Sequence, residues 1–102
     1  MMESREYFNS LFDIYKELLT KKEQDTFKEH YVEDLSMQEI ADNLNVSKSG
    51  VGMTVKRAEE KLKHYESILH IYEERKMIMK ALEEEDINTL KDILKKVLEN
   101  EN

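Results

Sequence analysis

The stretch "SMQEIADNLNVSKSGVGMTVKRAEEKL", Ser36 to Leu62, holds two helix starts and one tight turn. Ser36-Met-Gln-Glu39 is a capping box, in which the serine oxygen accepts from the third amide while the glutamate reaches back to the cap amide. Ile40, Ala41 and Leu44 then fall on one face of a short helix. Asn45 tolerates the left-handed conformation that stops a helix. Val46 tucks under the turn, and Ser47 caps a second helix pinned by Val51 and Val55. This is a helix-turn-helix pattern, with Ala41 small where the two helices cross closely. It leaves Lys48, Ser49, Gly52, Met53 and Lys56 pointing outward from the N-terminal half of the second helix. Those positions meet base edges when such a helix lies in a major groove. Lys56 and Arg57 are the foremost expected phosphate contacts, with Lys48 and Lys61 as further ones.

Upstream, Tyr7, Phe8, Leu11, Phe12, Ile14, Tyr15, Leu18 and Leu19 recur at helical steps and predict a helix from Ser4 to Leu19. A further capping box, Thr20-Lys-Lys-Glu23, opens a helix to about Glu33, with Phe27 and Tyr31 inward. Downstream, Val51, Val55, Ala58, Leu62, Tyr65, Leu69 and Tyr72 alternate in steps of 4 and 3, an apolar seam. No glycine or proline follows Gly52, so the fourth helix is expected to continue to about Glu84. A fifth runs from about Asp86 to Glu99, its stripe made by Ile87, Leu90, Ile93, Leu94, Val97 and Leu98. The expected fold is all-α: a helix-turn-helix bundle with a long fourth helix and a C-terminal helix. Residues 1–65 form the helix-turn-helix domain, its motif at 36–63, and residues 66–102 extend it. Beyond Tyr65 the seam outruns what a small bundle covers. Either the fifth helix folds back onto it or a second copy does. A homodimer through Tyr65, Ile68, Leu69, Tyr72, Leu90 and Leu94 is expected.

With 102 residues there is room for one such domain and a helical extension. Charged residues make up 38%, proline is absent and there are two glycines, as in all-helical chains. The absence of cysteine rules out disulfides and thiolate chemistry and suits a cytoplasmic protein. No apolar run approaches a membrane span, and the N-terminus lacks the order of a signal peptide. The net charge is −7, yet Ser47 to Lys63 holds 5 basic residues against 2 acidic ones. The only local basic excess therefore coincides with the helix expected to touch a polyanion, while the acidic flanks oppose it.

No chemistry-bearing constellation accompanies the motif. His30, His64 and His70 are never three or four residues apart, so no metal pair is expected on one helix face. "SGVG" lies within a helix and follows no strand, so it is no phosphate-binding loop. Ser47 and Ser49 have no evident partner base. A non-enzymatic protein without cofactor or metal is expected.

The segment "LLTKKEQDTFKEHYVEDLSMQEIADNLNVSKSGVGMTVKRAEEKLKHYE" resembles region 4 of sigma-70 factors, through Leu-Thr-x-x-Glu, Ser-x-x-Glu-Ile-Ala, Val-Ser and Lys-Arg-Ala-x-x-Lys-Leu. The whole chain, with its extra first helix and long tail, more closely resembles the YlxM-like family, small helix-turn-helix proteins of Gram-positive bacteria and mollicutes. The resemblance implies a DNA-binding regulatory protein tied to the signal recognition particle pathway, whose RNA or protein components become candidate partners. Relatives usually carry a small non-glycine residue at the position of Gly50 and a larger polar or aromatic one at that of Gly52. Gly52 offers no side chain to a base. That favours an alternative, a protein or ribonucleoprotein adaptor that keeps the fold without reading sequence.

Overall fold

The computed structural model describes residues 4–99 and contains six α-helices and no strand among them. They are α1 (Arg5–Tyr15), α2 (Lys21–Phe27), α3 (Met37–Leu44), α4 (Lys48–Leu69), α5 (Ile71–Leu82) and α6 (Ile87–Glu99). A short 3₁₀ turn, Lys16–Leu18, closes α1, and a wide-pitched turn, Lys28–Val32, prolongs α2. The fold is thus all-α, with a helix-turn-helix and a long fourth helix. The helix starts follow the caps. Thr20 and Ser36 each accept from the third amide while Glu23 and Glu39 return to the cap amide. Asn45 stops α3 at φ 55°, in the left-handed region.

The chain divides into two compact units, Met1–Tyr65 and Glu66–Asn102. The core of the first is built by Phe8, Leu11, Phe12 and Tyr15 of α1, Leu19, Phe27 of α2, Ile40 and Ala41 of α3, and Val51, Val55, Ala58 and Leu62 of α4. Phe27 stacks between Phe12 and Tyr31, with ring centroids 4.7 and 4.4 Å away. Burial of each such side chain contributes about 1.5–3 kcal/mol, so the seam from Val51 to Leu62 is what fixes α4 against the bundle.

In the second unit α6 folds back along α5 after a four-residue connection. Ala81, Ile93 and Val97 are buried there.

The fourth helix does not run to Glu84. It ends at Leu69, and α5 begins after one residue, His70, at φ 56° and ψ 24°. The break lies where no glycine or proline stands, and a side chain holds it. Glu66, almost wholly buried, accepts from the amides of Tyr72 at 3.0 Å and Glu73 at 3.1 Å. Those two amides would otherwise reach back to the carbonyls of Ile68 and Leu69 in an unbroken helix. The seam expected to continue through Tyr72 is therefore not carried by a single helix.

Candidate nucleic-acid interface

The interface is built on α3, the turn Asn45–Ser47 and the first half of α4. Ile40, Ala41, Val51 and Val55 form one buried cluster, with Tyr31, Leu35, Met37, Leu44 and Val46 packed against it. The Ser47 hydroxyl accepts from the Gly50 amide at 3.0 Å, and Ser49 Oγ lies 3.3 Å from it. Thr54 is buried and donates back to the Gly50 carbonyl at 2.9 Å. With Val51, Thr54, Val55 and Ala58 all inward, the opposite side of α4 is left to solvent.

Lys48, Ser49, Met53, Lys56 and Arg57 are all exposed, Met53 by 63%. Among the described residues no salt bridge engages Lys48, Lys56 or Arg57. Met53, Lys56, Arg57 and Glu60 line one shallow hollow of about 350 Å³. The structure thus gathers three of the six sequence-predicted residues in one hollow, with Lys48 and Ser49 on the preceding turn.

Lys61 is engaged differently. Its ammonium lies 2.9 Å from one oxygen of Glu23 and 3.0 Å from the other. Burial pushes the Glu23 carboxyl up, but bonds from the Thr20 amide and hydroxyl, together with Lys61, outweigh it and hold the group below its ordinary value. Lys61 therefore ties α4 to α2 instead of standing free beside Arg57.

The glycines divide in the same way. A Cβ at Gly50 would stand 3.0 Å from Ser47 Oγ, against the capping hydroxyl. A Cβ at Gly52 would meet nothing within 4 Å. Packing accounts for the first glycine and not for the second.

A neighbouring feature was not singled out by the sequence. Lys21 and Lys22, at the start of α2, line a groove of about 490 Å³ with Asp25, Leu44 and Val46. Two lysines thus stand beside the helix-turn-helix turn, Lys21 also pairing with Asp25 at 3.0 Å. The signal in the sequence is the Lys-Lys inside the Thr20 capping box, which reads equally well as a solvated first turn.

Elsewhere, the six residues expected at a dimer interface fall into two groups. Ile68, Leu69 and Leu94 are exposed, by 60%, 46% and 46%. Tyr65, Tyr72 and Leu90 are half-buried. The Tyr65 hydroxyl donates to the Leu18 carbonyl at 3.2 Å and its ring lies near Tyr15, so it belongs to the bundle's own packing. The Lys76 ammonium sits over the Tyr72 ring. Glu66, His70 and Glu73 bring three possible ligand atoms within 4.8 Å of one another, but both Glu66 oxygens already accept from amides.

His30 is half-buried, and its Nδ1 has no hydrogen-bond partner among the described residues. Arg5 anchors this corner, donating to the carbonyls of His30 at 3.1 Å and Tyr31 at 2.8 Å and pairing with Asp34 at 3.2 Å. Burial, then the nearby Arg5 charge, holds His30 below its ordinary value, with Glu59 and Asp34 opposing. The Tyr31 hydroxyl donates to Glu59, and burial with that bond raises its pKa.

A capped turn between two short-crossing helices, with an exposed cationic face on the second, defines the chain as a helix-turn-helix protein. The family model "Putative helix-turn-helix protein, YlxM / p13 like" matches residues 2–100, and the chain belongs to that family, UPF0122. A UPF0122 protein of Limosilactobacillus reuteri is 47% identical over 66 residues, 65% of this chain and 58% of that protein. One from Oceanobacillus iheyensis is 39% identical over 83 residues, covering 81% and 79%. One from Fusobacterium nucleatum is 36% identical over 91 residues, covering 89% and 88%. The match to the first of these spans less than two thirds of its length; the matches to the other two span most of theirs. No helix among the described residues is long and apolar enough to cross a membrane.

Proposed function

We propose that the chain is a non-enzymatic, DNA-binding regulatory protein of the cytoplasm that inserts the first half of α4 into a major groove. The observation that carries this is the exposed face of α4, where Lys48, Lys56 and Arg57 have no acidic partner among the described residues. Lys48, Ser49 and Met53 face the bases, and a methionine there suits contact with a thymine methyl group. Lys56 and Arg57 bind phosphates, helped by Lys22 at the start of α2. Lys61, held by Glu23, contributes through position more than through direct contact. The chain works as a homodimer through residues of 66–102, Ile68, Leu69, Leu90 and Leu94 among them, with Tyr65 and Tyr72 at its margin. Membership of a YlxM-like family supports the signal recognition particle pathway as the regulated process.

A specific observation favours a second function, that of a protein or ribonucleoprotein adaptor. The open space at Gly52 leaves the centre of the outward face without a base-reading side chain. One experiment separates the two. Purified protein is incubated with a pool of genomic DNA fragments at low and moderate salt, beside the Lys56→Glu/Arg57→Glu double variant. A reader of DNA retains specific fragments at moderate salt and loses them in the variant. Binding that vanishes with salt in both proteins refutes sequence reading and turns attention to the particle's own RNA and protein.

A further inference from the structure

The α5–α6 hairpin carries more apolar surface than its own pairing uses. On α6, Ile93 and Val97 are buried, while Ile87, Leu94 and Leu98 are exposed and Leu90 is half-buried. Ile87, Leu90, Leu94 and Leu98 follow steps of 3, 4 and 4, and fall within an arc of about 80° at 3.6 residues per turn. That row adjoins the buried pair without coinciding with it. On α5, Ala81 is buried while Ile78, Met79 and Leu82 are exposed, Leu82 by 82%. A helix whose single contact is one neighbour needs one stripe; a second stripe beside it is what a member of a bundle presents.

We propose that this hairpin is half of a four-helix bundle, completed by the hairpin of a second copy lying end-for-end against it. Charge argues for a copy and sets its direction. Glu83, Glu84, Glu85 and Asp86 put four carboxylates at the turn of the hairpin. The far end holds Arg75, Lys76, Lys95 and Lys96 against Glu66, Glu73, Glu74 and Glu99, four cations balanced by four carboxylates, of which Glu66 is already turned inward onto the amides of Tyr72 and Glu73. Turned end-for-end, each acidic turn meets the four cations at the balanced far end of the other copy. Side by side in the same direction, the two turns would bring eight carboxylates together, and like-charge juxtaposition costs several kcal/mol at an interface. The same two ends serve as donor and recipient in both copies, which is the self-complementarity that a two-fold interface requires.

The bundle rests on the homodimer proposed above and is independent of the nucleic-acid contacts. Sedimentation of the full chain at micromolar concentration tests the dimer itself, and a monomer there overturns both. Leu82→Glu/Leu94→Glu alters two exposed positions, so its circular dichroism stays near that of the parent while its mass falls to that of a monomer and its thermal midpoint loses the dependence on concentration that the parent shows. A dimer that survives this variant overturns the hairpin seam and leaves the dimer standing. Because the chain has no cysteine, Glu85→Cys and Lys96→Cys chains can be mixed, allowed to exchange and treated with a short bismaleimide. The end-for-end bundle yields the mixed product, in which one chain of each variant is joined to one of the other. Cross-linking of each variant chiefly to itself overturns the direction.

Discussion

Position 52 is an interior helical glycine with open space where a side chain would go. Gly52→Ala should stabilise the chain by about 1 kcal/mol, raising the thermal midpoint by about 4–8 °C for a domain of this size. Gly50→Ala should gain less, because its Cβ crowds the Ser47 hydroxyl that caps the helix. Parallel melts of the two variants measure the difference. His30 gives a dependence on pH. Its folded-state pKa lies below its ordinary value of 6.5. The unfolded chain therefore takes up the proton more readily, and stability falls as pH drops through about 6.5, levelling below the folded value. His30→Phe keeps a ring beside Tyr31 and should remove that component from urea titrations at pH 8 and pH 5.5. The exposed cations of α4 were legible from spacing alone, since their register follows from Val51 and Val55. The engagement of Lys61 was not, because its partner Glu23 lies 38 residues away and no local pattern encodes the contact.

At the scale of the element, the helix starts were legible because each is written in one tetrapeptide. Ser36→Ala should remove a hydrogen bond to the Glu39 amide and cost about 1 kcal/mol, read as lower denaturant midpoint with an unchanged slope. The division of the long helix escaped the sequence for a physical reason. Propensity and apolar spacing both run smoothly from Val51 past His70, and neither registers a buried carboxylate that satisfies amides six and seven residues onward. Glu66→Ala should leave the Tyr72 and Glu73 amides without their acceptors, a loss of about 2 kcal/mol. Hydrogen exchange at those two amides should quicken while the amides of Val51 to Leu62 stay protected; unchanged exchange at Tyr72 and Glu73 would remove the carboxylate from this role.

At the scale of the whole molecule, the charge of −7 surrounds a small cationic face. Binding to DNA should weaken steeply with salt, and the Lys56→Glu/Arg57→Glu variant should lower the slope of log affinity against log salt by about 2. Filter binding across a salt series measures it. The exposed apolar row on α6 reaches further than architecture. Under the proposed pairing, each half-bundle is completed only when two chains meet, so the population of paired readers follows the square of abundance while most chains are single. Halving the supply of the protein would then cut the paired form about fourfold by mass action. Such a regulator would report its own abundance through a threshold, falling silent at dilution before any effector intervenes.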